Sequence, residues 1–399
     1  MATQTETFEL VIAGGGLTAA RAVKAYRAAG GEGRVALIAR EDTLPYHRPP
    51  LSKRFLRGET DETPHVEDEA FYREHDVDVR LSTSVDGVDT SERTVTAGEA
   101  SLGYAKLLLA TGSTPRRLSV PGAELPGVHT LRTIHDSAAI RADARDARRA
   151  VVVGAGFIGM EVAASLRQLG VGVTLIHLGS GLFDQFGSER LSADLVALYR
   201  ERGIELLLEE EVASFAGDGR LATVETKGGR RVDADLAVVG IGVVPNVAFL
   251  EHSGLELENG VVVDERLATS AEGVWAAGDI ANFHDPLFDR RRRIEHWSNA
   301  NYQGELVGRI LAGEDARYDT VSSFFSEIFG TTLKVFGDLA RADETRAEGS
   351  LADGLVVGYG EGGRLVGALA VGQSEEAEAR LKEQIAARGR LADLVFQEH

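Results

Sequence analysis

Short apolar runs that end in glycine recur along this chain. Phe8-Glu9-Leu10-Val11-Ile12-Ala13 reads as a buried strand, Gly14-Gly15-Gly16-Leu17-Thr18-Ala19 follows it, and an alanine-rich stretch over residues 19–29 continues with helical periodicity. A second apolar run over 34–39 closes a strand–helix–strand unit. The pattern returns at Ala150-Val151-Val152-Val153, then Gly154-Ala155-Gly156-Phe157-Ile158-Gly159, a helical stretch over 160–169 and a strand over 173–177. Two such units predict two parallel sheets, each with a nucleotide-binding turn. Residues 235–242 and 273–279 read as further buried strands that stop at glycine. After these the pattern changes. Residues 335–337, 354–360 and 364–371 read as short antiparallel strands with glycine turns, and 374–387 as a helix. The expected fold class is α/β: two Rossmann-like dinucleotide-binding domains, the first split by the second, plus a small C-terminal α+β domain.

Composition narrows the chemistry. A length of 399 residues allows two or three domains, and 43% hydrophobic with 26% charged residues supports large buried cores. Acids outnumber bases 62 to 43, for a net charge of -19, so the surface repels phosphate backbones and anionic lipid. No nucleic-acid or membrane partner is expected. There is no cysteine, which excludes thiolate nucleophiles, redox disulfides and cysteine-held zinc or iron–sulfur clusters. The ten histidines show no metal-ligand spacing, and no metal is expected. The N-terminus lacks signal-peptide blocks, and the apolar stretch 236–250 is interrupted by Gly240, Gly242, Pro245 and Asn246. A cytoplasmic protein is expected, as a monomer or homodimer.

Each glycine of a G-x-G-x-x-G turn has a physical use: a tight turn, close approach to a pyrophosphate, and close helix–strand packing. The helix that follows offers free N–H groups and a positive potential to phosphate. An acid about 20 residues further on commonly receives a ribose hydroxyl, and Glu41 fits that place after the first turn. After the second turn the place holds His177, and no acid or arginine occurs from Val173 through Phe183. His177 and Ser180 could donate to a 2′-phosphate, so NADH and NADPH both stay open, with a lean to dual use.

The full set of motifs resembles the FAD-dependent pyridine-nucleotide oxidoreductases, in the group of ferredoxin reductases, apoptosis-inducing-factor-like proteins and monodehydroascorbate reductases. The matching pieces are AGGGLTAA around Gly14, YHRPPLSK from Tyr46 to Lys53, ATG from Ala110 to Gly112 and VGAGFIGMEVA from Val153 to Ala163. GIGVVPN from Gly240, AAGDIA from Ala276 and EHWSNA from Glu295 complete the series, in the family's order and over nearly the whole chain. The resemblance implies a glutathione-reductase-like fold, with residues 1–114 and 243–318 binding FAD, 115–242 binding NAD(P)H and 319–399 packing beside the flavin. It implies that Gly14, Gly16, Leu17, Thr18, Ala19, Glu41, Arg48, Ala110, Thr111, Gly112 and Gly242 contact cofactor, with Gly278, Asp279, His296, Trp297 and Phe325. Gly154, Gly156, Phe157, Ile158, Gly159 and His177 line the second nucleotide. Lys53 and Glu161 pair beside flavin N5, where the hydride arrives, and are the catalytic candidates.

Plainer readings stand beside these. Arg48 through Lys53 could be a capped loop, Glu161, expected in the first helical turn, could answer the helix dipole, Asp279 could be an N-cap and Trp297 a core residue. Phe325 stands where many ferredoxin reductases carry tryptophan, and FFSEIFG is nearer the other two branches of the group. Arg290, Arg291, Arg292 and Arg293 form a basic run on an acidic chain, either a solvated face or a docking collar for a small acidic iron–sulfur ferredoxin. The expected function is transfer of hydride from NAD(P)H to FAD, then of electrons to a ferredoxin serving an oxygenase or cytochrome P-450. The alternatives are a monodehydroascorbate or quinone reductase and a redox-gated interaction protein; a nucleotide sensor fits less well, because Lys53 and Glu161 are both present.

Overall fold

The computed structural model describes residues 6–394. They form two compact units. The first holds the chain through His47, Pro64–Thr114 and Val244–Thr320. Its sheet runs Val77–Arg80, Val35–Ile38, Glu6–Ala13, Ala100–Leu109 in parallel, and Val274–Ala276 pairs parallel to the C-terminal half of the last. Antiparallel strands Thr94–Ala97 and Val85–Asp89 extend the other half. Leu10, Val11, Ile12 and Leu107 to Leu109 are fully buried, each worth roughly 1.5–3 kcal/mol. Helix Leu17–Ala28 lies on this sheet and packs closely against helix Trp297–Leu311. Small residues permit that approach: a side-chain carbon at Gly304 would lie 2.7 Å from the Thr18 carbonyl oxygen, and one at Gly308 2.5 Å from that of Ala22.

The second unit holds Arg48–Thr63, Pro115–Val243 and the chain from Val321. Its parallel sheet has the order Glu205–Leu208, Gly172–His177, Arg149–Val153, Leu236–Val239, Val128–His129. Helices Ile134–Ala144, Phe157–Gln168 and Glu189–Glu201 accompany it. The first is closed by a Thr133–Asp136 capping box and the third by the Ser188 hydroxyl. A three-stranded antiparallel meander spans Val212–Ala216, Thr223–Thr226 and Arg231–Asp233, which the apolar pattern did not single out. Five antiparallel strands, ordered Ser323–Ile328, Thr331–Gly337, Arg364–Val371, Gly354–Glu361, Glu344–Ser350, form the C-terminal sheet with helix Glu375–Ala386. Its exposed edge strand carries Glu344, Arg346 and Glu348, charges that discourage pairing with another chain.

The fold is the α/β class expected, with two Rossmann-like sheets and a C-terminal α+β region. The C-terminal region clusters with the second sheet, and so does Arg48–Thr63, which the resemblance assigned with the first. Backbone satisfaction accounts for the latter. The Pro49–Ser52 turn presents carbonyls that serines of the second unit cap, Ser137 Oγ on Leu51 O and Ser165 Oγ on Ser52 O, both at 2.6 Å. Among the described residues no helix is long and apolar enough to cross a membrane.

Candidate functional site

In the first unit, strand Glu6–Ala13 delivers the chain to Gly14, whose φ of 130° only glycine adopts readily. A side-chain carbon there would lie 2.1 Å from Ala110 O. Gly16 is extended, caps helix Leu17–Ala28 with no side-chain acceptor, and has open space where a side-chain carbon would stand. The first turn carries no acid, so its N–H groups leave a gap for an anion such as a pyrophosphate. Thr18 is held away from that gap by its hydroxyl bond to Ala300 O at 3.1 Å, and Leu17 and Ala19 are buried. Glu41 follows strand Val35–Ile38, and Tyr46 donates its hydroxyl to Glu41 Oε2 at 2.7 Å. Ala110, Thr111 and Gly112 leave strand Ala100–Leu109, and Thr111 exchanges bonds of 3.0 and 2.9 Å with Asn246.

Gly278 and Asp279 form a short turn in the same unit. Gln303 Oε1 accepts the Gly278 N–H at 2.7 Å, and Ser113 Oγ donates to Asp279 Oδ2 at 2.8 Å. His296 caps the next helix, and burial pushes its pKa down to about 4 against a smaller upward pull from Asp279. Trp297 directs its indole N–H to His47 Nδ1 at 3.1 Å. Burial first, then Arg21, holds the His47 pKa below the ordinary value, which suits a neutral acceptor. These residues fit a flavin nucleotide: a pyrophosphate gap at Gly16, a positioned ribose carboxylate at Glu41 and a second carboxylate at Asp279.

The second unit repeats the turn. Gly154 has φ 101°, and a side-chain carbon would lie 2.4 Å from Gly240 O; Gly156 again faces open space. Helix Phe157–Gln168 begins at Phe157, three residues earlier than its apolar pattern suggested. Glu161 therefore sits in the second turn, which weakens the helix-dipole reading. Its neighbours are specific. Glu161 Oε2 lies 2.6 Å from Lys53 Nζ and accepts the Ser52 hydroxyl, while Oε1 accepts Ser326 Oγ at 2.8 Å. Glu161 is 4% exposed and Ser326 fully buried, so the Lys53–Glu161 pair is held in a largely dry place. Lys53 Nζ also reaches Pro49 O at 3.3 Å. Arg48 donates to Arg132 O at 2.6 Å.

Phe157 stacks within 5.0 Å of both the Phe183 and Phe324 rings, and Ile158 and Phe325 stay exposed. Gly242, with φ 93°, accepts the Arg116 N–H. His177 Nε2 lies 3.3 Å from Asp184 Oδ1, a partner that competes with the donation to a 2′-phosphate left open for it. The arginine run is not a freely solvated face. Arg290–Arg292 forms a strand, Arg291 donates to Val263 O and Asn282 O, Arg292 pairs with buried Asp285 at 2.7 Å, and Arg293 binds Asp279 O and Glu295.

Residue reasoning missed Ser52, Ser326, Tyr46, His47 and Asp184 as contributors. Tyr46, His47 and Ser52 lay inside a quoted motif. Ser326 also lay inside the FFSEIFG stretch, buried between exposed Phe325 and Glu327 along a strand.

The pyridine nucleotide-disulphide oxidoreductase family model matches residues 8–304. The chain belongs to that family. Within it, the chain is 36% identical over 391 residues to the chlorobenzene dioxygenase ferredoxin reductase component of Cupriavidus sp. (strain PS12), covering 96% of this chain and 95% of the relative. It is 37% identical over 368 residues to the anthranilate 1,2-dioxygenase system ferredoxin–NAD(+) reductase component of Burkholderia cepacia, covering 90% of each. Among solved structures, a chain of the covalent putidaredoxin reductase–putidaredoxin complex superposes with a TM-score of 0.90 at 30% identity, covering 96% of this chain and 93% of that one. Lacking cysteine, this member cannot use the dithiol chemistry in the family's name.

Proposed function

We propose that the protein is an NADH-dependent flavoprotein reductase that supplies electrons to a ferredoxin-type iron–sulfur carrier, serving an oxygenase or cytochrome P-450 in the cytoplasm. The observation that carries this reading is the buried Lys53–Glu161 pair beside the second nucleotide turn, in a cysteine-free member of a pyridine-nucleotide family. Bound FAD supplies what no side chain here can: it accepts a hydride from NADH and releases electrons singly.

The chain's own residues bind, orient and hold charge. Gly14, Gly16 and the start of helix Leu17–Ala28 take the FAD pyrophosphate, Glu41 its adenosine ribose, and Asp279 a ribityl hydroxyl. Within the first unit, Ala110–Gly112, Gly278, His296 and Trp297 would line the flavin portion. Gly154, Gly156 and residues 157–159 take the NADH pyrophosphate. Lys53 and Glu161 keep a fixed dipole at the flavin as its charge changes, and Ser52 and Ser326 fix both carboxylate oxygens. The carrier docks at the Arg290–Arg292 strand. Arg291, the exposed member of the strand, is its contact, although one of its guanidinium nitrogens also holds the Val263 and Asn282 carbonyls.

The test is anaerobic stopped-flow reduction of the flavin-loaded protein, followed by transfer to purified ferredoxins. Rapid bleaching of the flavin band by NADH, with turnover stimulated by an iron–sulfur carrier, is expected. Rapid bleaching with turnover on quinones alone moves the assignment to a small-molecule reductase. Slow bleaching by any nicotinamide nucleotide overturns the reading.

A further inference from the structure

The choice of nucleotide rests on a carboxylate that the chain brings in from outside the usual place, given the reductase reading above. Strand Gly172–His177 ends at the position where an acid ordinarily receives the adenosine ribose, and the residue there is His177. The ring is committed on both sides. Its Nδ1 accepts the N–H of Ala155, the middle of the second turn, at 3.3 Å. A neutral ring accepting there carries its proton on Nε2, which donates to Asp184 Oδ1 at 3.3 Å. The imidazole thus joins the nucleotide turn to Asp184.

Asp184 reaches this place because the loop after the strand doubles back. Phe183 adopts φ 52° and Gly187 φ 61°, and between them Asp184–Phe186 makes one tight turn. The fully buried Phe183 ring anchors the loop, with centroids 5.0 Å from Phe157 and 5.4 Å from Phe186. Gly179 supplies the room, since a side-chain carbon there would lie 1.7 Å from Asp184 Oδ2. That second oxygen accepts no hydrogen bond from any described residue, and the Asp184 side chain is 34% exposed. Leu178, next in the chain to His177, is 69% exposed, an open apolar surface of the kind a flat base covers. No lysine or arginine occurs from Val173 through Glu189 to answer a phosphate.

We propose that Asp184 selects NADH over NADPH. Its free oxygen accepts the 2′-hydroxyl of the adenosine ribose, its charge repels a 2′-phosphate, His177 positions it, and Leu178 underlies the adenine. Dual use of the two nucleotides, the earlier expectation, gives way to exclusion of the phosphorylated one.

The test is calorimetric titration of the flavin-loaded protein with NAD+ and NADP+, and with ADP-ribose and its 2′-phosphate, at low and high salt. The native protein is expected to bind NAD+ at least about tenfold more tightly than NADP+, with the ratio narrowing as salt rises. Asp184→Asn is expected to tighten NADP+ about tenfold, weaken NAD+ a few-fold and remove the salt dependence of the ratio. Asp184→Ser, smaller and uncharged, should move the ratio the same way. A ratio within about twofold of native in both variants, with NADH still reducing the flavin, overturns the role of Asp184 alone. A native protein that binds neither nucleotide and is not reduced by NADH overturns the reductase reading together with it.

Discussion

In both nucleotide turns the first glycine has a positive φ, 130° at Gly14 and 101° at Gly154, and a side-chain carbon at either would strike a carbonyl oxygen of a neighbouring strand end. The second glycine, Gly16 or Gly156, faces open space in both. The third small position separates them. Ala19 is accommodated in the first helix with full burial, whereas a side-chain carbon at Gly159 would lie 2.0 Å from Gly154 O. The second helix sits tighter on its own turn. It also carries the buried Glu161, where the first helix has Arg21 at the matching place and no acid along its length. The carboxylates proposed for the two riboses differ too: Glu41 follows its strand directly and is oriented by Tyr46, while Asp184 comes back through a loop and lies against His177. One sequence pattern therefore encodes a common turn geometry. On the proposed function, the chemistry and the nucleotide choice come from what each helix and loop adds.

The sharpest way to break this comparison is Glu161→Gln. With the charge gone, Lys53 is left beside a neutral amide, and flavin reduction at saturating NADH should slow about 100-fold. Bound flavin, measured by absorbance, should be retained, because the first turn is untouched. An unchanged reduction rate would remove the pair from the reaction.

A smaller effect separates the two turns. Gly16 and Gly156 both have negative φ and open space, so alanine fits either fold, with stability shifted by no more than about 0.5 kcal/mol. Gly16→Ala should weaken FAD about tenfold and spare NADH; Gly156→Ala should do the reverse. Equilibrium dialysis checks both, and loss of the same nucleotide in the two variants would sink the assignment of one turn to each cofactor.

The smallest expected effect is acid sensitivity at the first unit. Burial holds the His296 ring neutral down to about pH 4, while an unfolded histidine binds a proton below about 6.5. Stability from this group is complete above pH 6.5 and declines as pH falls toward 4, by about 1 kcal/mol at pH 5 after discounting for partial solvent screening. His47, lowered by burial and Arg21, adds in the same direction. Urea midpoints at pH 7.5 and 5 test it, and His296→Gln should flatten the difference. Equal midpoints in the native protein would contradict the sign.

Periodicity and glycine placement made the two strand–turn–helix units, the returning strands at 236–239 and 274–276 and most of the C-terminal sheet legible, because each depends on local spacing. The meander over 212–233 and the edge strand at 344–350 were not: the meander's strands are short with at most two buried positions each, and the edge strand is polar and exposed, so neither carries a long apolar run. Helix Phe157–Gln168 began earlier than its apolar run because a glycine N-cap leaves no side-chain signal.

By itself, the order of residues determined the fold class, the absence of thiol chemistry and the two glycine turns, since backbone conformation and missing atoms are local properties. Tertiary structure decided that Ser326 meets Glu161, that Arg292 and Arg293 pair internally while Arg291 stays exposed, that Arg48–Thr63 packs with the second unit, and that Asp184 stands against His177. Those contacts join residues whose separation along the chain bears no relation to their distance in space, and only packing, charge pairing and backbone hydrogen bonding bring them together.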